Sequence, residues 1–310
     1  MQQNSFTALV HLHQVSVTAA GLSAATIAWY ASQLRIFQAW RERFSVPDLL
    51  PTESVLESFI AAQQQLGLKP RTVHARYRAL AAVLNFAERR RFIMREQNPV
   101  HWVKPPRIPR ERPRYVSYAD LRAILGAING DRWIDQRDRL ILRLLYFSGL
   151  RLGELCALQV ADIDLQRLEI FVRRGKGAKP RMVPTTSDIR QDVLAYLYSR
   201  PSAAHALLLA SRGPLYHAGP RFTPEGVRSM LKARCLNAGV QPFSAHAFRH
   251  GFAMAMRNNG ADLSDIAAAM GHTSTQVTQM YYAFTLAPAV RKAYNSAMDK
   301  LQGKADSSTQ

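Results

Sequence analysis

The sequence predicts a mainly helical fold with one small β-sheet, divided into two domains. Three observations carry this. Apolar residues recur at helical spacing, between recognisable caps, along most of the 310 residues. Only Leu168 to Val172 and Met182 to Pro184 read as strands, and a glycine turn separates them. Between the helical regions, His101 to Tyr115 holds Pro105, Pro106, Pro109 and Pro113 among Lys104, Arg107, Arg110, Arg112 and Arg114. Such a segment builds neither a core nor a regular helix, so it reads as a stiff basic linker and a domain boundary.

Composition narrows the partner. A chain of this length has room for two cores. Lys and Arg number 41 against 22 Asp and Glu, a net charge of +19. An excess of that size points to a polyanion, either nucleic acid or an acidic membrane surface. No apolar run approaches the roughly 18 residues of a membrane span, and Met1 to Val15 lacks the basic start of a signal peptide. Cys156 and Cys235 lie in apolar, helix-like surroundings and read as buried thiols. Nucleic acid in the cytoplasm, with no membrane, is therefore the expected setting.

Residues 1–20 show no firm pattern and read as an arm. Ser23 caps a helix through about Arg41, with Ile27, Tyr30, Leu34 and Phe37 on one stripe. A second starts at Pro51-Thr52, turns Val55, Leu56, Phe59 and Ile60 inward and stops at Gly67. A third runs from Pro70 to about Arg90 on Val73, Tyr77, Leu80, Val83, Leu84 and Phe86. Its other faces carry Arg71, Arg76 and Arg78, and then Arg89, Arg90 and Arg91, with almost no acid between them. A solvated face and a DNA-backbone contact both fit such a run. Asn98-Pro99 closes the region.

Beyond the linker, Ser117 begins a helix with Asp120 in a capping-box position. Asp135 to Phe147 is a second, apolar through Leu140, Ile141, Leu144 and Leu145, and it ends at Ser148-Gly149. Arg151 follows, with Glu154 placed to hold it by an ion pair. The two strands then present Lys176 within Gly175-Lys176-Gly177-Ala178-Lys179-Pro180, where alone it reads as a solvated turn lysine. Helices follow at about Ser187 to Ser199 and Pro224 to Ala238, the latter capped by Thr223.

The most informative stretch is Ser244-Ala245-His246-Ala247-Phe248-Arg249-His250. Ser244 caps a helix, and the three- and four-residue spacings put His246, Arg249 and His250 on one face near its N-terminus. A fixed cation, a proton carrier and a helix N-terminus suit a phosphate, although a polar surface face has the same spacing. Asp262 then starts a helix that Gly271-His272 closes. Thr278-Gln279-Met280-Tyr281-Tyr282, an amphipathic helix over about Pro288 to Leu301 and a polar, disordered tail complete the chain.

In this order the segments resemble the tyrosine recombinases, the group of phage integrases and Xer-type recombinases. The resemblance spans roughly residues 20–300. It rests on Gly149-Leu150-Arg151-Leu152-Gly153-Glu154-Leu155, the turn Gly175-Lys176-Gly177, then His246-Ala247-Phe248-Arg249-His250, Gly271-His272 and Tyr281. It implies an N-terminal all-α SAM-like core-binding domain and an α+β tyrosine-recombinase catalytic domain. The expected layout is an arm at 1–20, a core-binding domain at 21–104, a linker at 105–115, a catalytic domain at 116–302 and a tail at 303–310.

The resemblance also implies roles. Tyr281, in preference to its neighbour Tyr282, is the nucleophile. Arg151 and Arg249 bind the non-bridging oxygens of the scissile phosphate. Lys176 protonates the leaving 5′ oxygen, His246 assists as acid–base or hydrogen-bond partner, and His272 hydrogen-bonds the phosphate. Glu154 supports Arg151. Arg71, Arg76, Arg78, Lys104 and Arg107 are candidate DNA contacts. No cofactor or metal is implied, because two guanidiniums can offset the charge that builds on a phosphodiester under attack. The implied partners are double-stranded DNA and three further copies of the chain, a tetramer on two sites, with or without a second recombinase or accessory factor. Integration, excision and resolution through a Holliday junction all fit, as does residence on a mobile element. A type IB-like topoisomerase and a catalytically silent DNA-binding protein on the same scaffold are the alternatives.

Overall fold

A computed structural model of the chain describes residues 5–109, 113–173, 180–213 and 217–271. The chain divides into two compact units, Met1–Glu111 and Arg112–Gln310.

Helices α1 (Phe6–Ala19), α2 (Ala24–Arg43), α3 (Glu53–Gln65) and α4 (Pro70–Arg89) build the first unit. The first of them corrects the expectation of a patternless arm over residues 1–20. Phe6, Leu9 and Val10 are buried in the same cluster as Phe37, Phe59 and Leu80. The ring of Phe37 packs edge-on against Phe6 at 5.3 Å and Phe59 at 5.0 Å. The period of α1 is masked in the sequence because Leu12 and Val15 are also apolar, yet stand exposed. Asp48, beyond α2, fixes the start of α1: it accepts from the Ser5 hydroxyl, from the Thr7 amide at 3.2 Å and from Arg41 at 2.8 Å.

Ser23 and Thr52 cap α2 and α3, and Pro70 opens α4. The apolar stripe of α4 faces the core, including Val73, Leu80, Val83 and Leu84. Asn98 is fully buried. Its side chain accepts from the Val100 amide at 3.2 Å and donates to Asn85 at 3.1 Å and to Glu88. The Tyr77 hydroxyl donates to the Val103 carbonyl at 2.9 Å. These bonds clip the chain after α4 back onto that helix.

The second unit begins with α5 (Tyr118–Gly126), α6 (Trp133–Phe147) and α7 (Leu152–Ala157). Strands β1 (Ile163–Asp164), β2 (Glu169–Val172) and β3 (Arg181–Pro184) follow, then α8 (Ser187–Ser199). Strands β4 (Leu209–Arg212) and β5 (His217–Arg221) precede α9 (Pro224–Asn237), α10 (Ala245–Asn258) and α11 (Leu263–Met270). Helix α6 is the centre: Leu140, Ile141, Leu142, Leu144 and Leu145 are all fully buried, and it packs against α8 and α10. Its acidic side is buried too, with Asp135 and Asp138 each 2.7 Å from Arg234 of α9.

The first sheet is antiparallel in the order β1-β2-β3, with Ile170 opposite Val183 and Val172 opposite Arg181. Ile170, Val172 and Val183 point into the core, while Phe171 and Met182 alternate outward. The pair β4-β5 was not expected. Its strands carry Ala210, Gly219 and Pro220, which no strand propensity flags. A Cβ on Gly219 would lie 2.9 Å from the Ala210 carbonyl, so only glycine admits this pairing.

Gly251, inside α10, has a similar reason. A Cβ there would sit 2.3 Å from the Val116 carbonyl oxygen. The segment before α5 thus lies directly on α10, and the Val116 amide donates to the Ala247 carbonyl at 3.1 Å. No described helix is long and apolar enough to cross a membrane. Lys176, His272, Tyr281, Tyr282, the Pro288 to Leu301 helix and the 303–310 tail lie outside the described residues.

Candidate active site

Helix α6 ends at Ser148, and the chain reverses through Gly149 with φ +57°. A side chain is excluded there twice: by the left-handed backbone and by the Phe252 ring, 2.4 Å from where a Cβ would sit. Arg151 then takes the N-cap position of α7 in extended conformation, φ −71° and ψ 149°. A helix start leaves amide groups unpaired. Glu154, three residues on, answers this with Oε2, which accepts from the Arg151 amide at 2.9 Å. Its Oε1 accepts from the Arg151 guanidinium at 2.8 Å. The expected ion pair is present, and the same carboxylate also orders the backbone that carries the arginine.

The second Nη of Arg151 donates to the Gly271 carbonyl at 2.9 Å. Arg249, on α10, makes parallel use of its fork: one Nη donates to the Gly149 carbonyl and the other to Met270 at 2.5 Å. Met270 and Gly271 end α11, with Gly271 left-handed at φ +62°. Carbonyls at a helix C-terminus carry partial negative charge and lack intrahelical donors. They hold the two guanidiniums without cancelling the local positive charge, as a full set of carboxylates would.

The two arginines differ in exposure. The Arg151 side chain is 35% exposed and meets solvent, whereas Arg249 is 2% exposed. His246, in the first turn of α10, is exposed, and its ring packs edge-on against buried His250 at 4.5 Å. Protein packed around the imidazole lowers its pKa below the ordinary 6.5, and the charges of Arg249 and then Arg151 lower it further. His246 is thus mainly neutral at pH 7 and able to accept a proton. The shared-face expectation for His246, Arg249 and His250 separates into one exposed and two buried side chains.

One residue of this cluster escaped the sequence reading. Arg181, at the start of β3, donates from its two Nη atoms to Glu154 Oε1 at 3.0 Å and Oε2 at 2.9 Å. Its Nε donates to the Ala269 carbonyl at 3.3 Å. Burial alone would raise the Glu154 carboxyl, but the bonds from Arg181, from the Arg151 amide and from the Arg151 guanidinium outweigh it and bring its pKa down to about 2. A signal for Arg181 does exist. The two-residue period of a strand puts it on the face of buried Val183, and a charge on an inward face requires a partner.

The candidate DNA contacts belong to the first unit. Arg71, Arg78, Lys104 and Arg107 are exposed. Arg76 is half-buried and donates to Gln63 Oε1, and burial lowers its pKa. Cys156 and Cys235 are buried free thiols, and burial pushes Cys156 up to about 11.

Residues 114–286 match the phage integrase family. The chain belongs to that family and is a tyrosine recombinase. It is 32% identical to tyrosine recombinase XerA of Thermococcus kodakarensis, over 92% of this chain and 94% of that one. It is 31% identical to tyrosine recombinase XerD of Pseudomonas putida, over 84% of this chain and 87% of that one. Among solved structures, the Tn1549 transposon integrase in complex with transposon right-end DNA shares the fold at a TM-score of 0.69 and 20% identity, covering 95% of this chain and 99% of that one.

Proposed function

We propose that this recombinase cuts and rejoins double-stranded DNA at specific sites through a covalent 3′-phosphotyrosine at Tyr281. The observation that carries the reading is the arginine pair Arg151 and Arg249, anchored together on the last carbonyls of α11. The Tyr281 oxygen attacks the phosphorus, and the bond from phosphorus to the 5′ oxygen breaks. Arg151 and Arg249 offset the charge that grows on the non-bridging oxygens, an effect worth about 100- to 1000-fold per donor. Neutral His246 takes the tyrosine proton or hydrogen-bonds the phosphate. Lys176 gives a proton to the leaving 5′ oxygen, and His272 adds a hydrogen bond. The phosphotyrosine conserves the energy of the broken bond, so attack by another 5′ hydroxyl restores DNA without a nucleotide cofactor.

Four protomers act on two sites and exchange strands through a Holliday junction, in the cytoplasm where the DNA is. The core-binding domain runs to residue 104 and takes in α1, residues 116–302 are the catalytic domain, and 105–115 links them. Arg71, Arg78, Lys104 and Arg107 contact the DNA backbone. The lambda integrase, which shares the fold, is solved as a dimer bound to a core site, which supports DNA as the partner.

Covalent trapping tests the reading. The protein is incubated with fragments of its own replicon and flanking genome, denatured, and the linked DNA is recovered and sequenced. Mass spectrometry is expected to find the adduct on Tyr281. An adduct on Tyr282 moves the nucleophile by one residue. Tight binding with no adduct, even on a nicked suicide duplex, overturns the catalytic reading. Relaxation of any plasmid without site-specific joining would favour a topoisomerase.

A further inference from the structure

We propose that Arg181 is a positioning residue for strand cleavage: it locks Glu154, and through Glu154 the guanidinium of Arg151, to the loop-side end of the β2-β3 hairpin and to the end of α11. This inference rests on the function proposed above. Four observations support it. Arg181 meets both Glu154 oxygens, and these are the same two oxygens that hold the amide and the guanidinium of Arg151. Its Nε donates to the Ala269 carbonyl. Gly271 packs so closely that a Cβ there would lie 2.9 Å from the Arg181 guanidinium carbon. And Arg181 pairs with Val172 at the loop-side end of the ladder, the last pair before the segment that carries Lys176.

One guanidinium therefore touches α7, α11 and the hairpin at once. Each of these leads to a residue assigned to the reaction: Arg151, His272 and Lys176. The Arg181 fork is turned onto both Glu154 oxygens and the Ala269 carbonyl, so its assigned role runs through Glu154 and not through the phosphate. Lysine could not replace it fully, because three bonds in one plane need the fork of a guanidinium and an ammonium is a point charge.

The arrangement makes a separable signature in pH. Among the described residues, the charged groups that face Glu154 are Arg151 from the start of its own helix and Arg181 from β3. Arg249, on α10, is bound to the Gly149 and Met270 carbonyls instead. With Arg181 gone, burial still raises the Glu154 carboxyl and the lowering by Arg181 is lost, leaving that by Arg151, so the carboxyl protonates at higher pH than before. A protonated Glu154 loses an acceptor for Arg151. Cleavage should then fall about tenfold per pH unit on the acid side of the new pKa, while the wild type, with Glu154 ionised throughout, lacks this limb.

The experiment uses the full chain and a nicked duplex carrying the fragment recovered by trapping. Covalent adduct formation is timed at saturating protein between about pH 5 and 8, with DNA affinity and thermal melting measured alongside. Arg181→Met is expected to bind the duplex within about threefold of wild type, to cleave about 100-fold more slowly at neutral pH, and to show the acid limb. Arg181→Lys should recover part of the rate. The double variant Arg181→Met with Glu154→Gln should be slow yet lose the limb, whereas His246 titrates in every one of these proteins. Arg181→Met with the wild-type rate, or slowed with the wild-type pH profile, overturns the proposal. If Arg181→Met fails to fold, Arg181→Lys decides: a wild-type rate and profile overturns it, and a slowed rate with the limb upholds it. No adduct from wild-type protein is a different failure, that of the functional reading itself.

Discussion

On α4 and at its C-cap, Arg71, Arg78, Arg89 and Arg90 stand exposed. In the second unit, Arg181 and Arg249 are almost wholly enclosed and bonded to carboxylates or to carbonyls at helix ends. All six contribute the same unit to the net charge. The difference is in what surrounds them. An exposed arginine is screened by salt within about 10 Å and is one of several interchangeable contacts to a phosphate backbone. An enclosed arginine is weakly screened, cannot be exchanged and has one geometry. Net charge predicts a polyanionic partner without telling these two uses apart. Burial and bonding partners do tell them apart.

The largest test of that contrast is on the enclosed side. Arg249→Ala and Arg151→Ala are each expected to lower single-turnover cleavage by about 1000-fold or more, while gel-shift affinity changes little because many other cations hold the backbone. Loss of binding in proportion to loss of cleavage would put both arginines in the class of α4.

Next is Glu154→Ala, which leaves two guanidiniums facing each other without their shared carboxylate. Breaking such a buried pair costs about 3–5 kcal/mol, and the melting temperature should fall by on the order of 10 °C. The same residue sets a pH dependence. Its folded pKa, about 2, lies below the ordinary 4.5, so its stabilising effect is complete above about pH 4.5 and is lost as pH falls through 2. The amount at stake is about 3 kcal/mol, and acid titration of wild type against Glu154→Gln measures it.

The smallest effects belong to α4. Arg71→Ala and Arg78→Ala should each weaken DNA binding several-fold. Each should also lower the slope of log affinity against log salt by about one. Cleavage by the bound complex should stay unchanged. A change in that rate would mean α4 does more than grip.

Much of the fold was open to inspection in the chain. Ser23, Thr52, Ser117, Thr223 and Ser244 all cap the helices they precede. A cap is a bond between neighbours, so three or four residues suffice to specify it. The hairpin was legible from its alternation and the Arg151–Glu154 pair from its spacing, for the same reason. Helix α1 and the pair β4-β5 were not. Their residues are permissive of several conformations, and the choice among them is made by Phe37, Phe59 and Asp48 in one case and by the Ala210–Gly219 approach in the other.

The sequence by itself determined the helical class, most helix starts, the basic character and the order of motifs that marks a tyrosine recombinase, because each is a matter of local spacing or of composition. Only the tertiary structure decided which arginines are held and by what. Glu154 and Arg181 are far apart in the chain, and so are Arg249 and the Gly149 carbonyl. No local propensity encodes a bond of that span. It forms because folding the core brings α6, α7, β3, α10 and α11 to one place, where buried charges and helix-end carbonyls must be satisfied by each other.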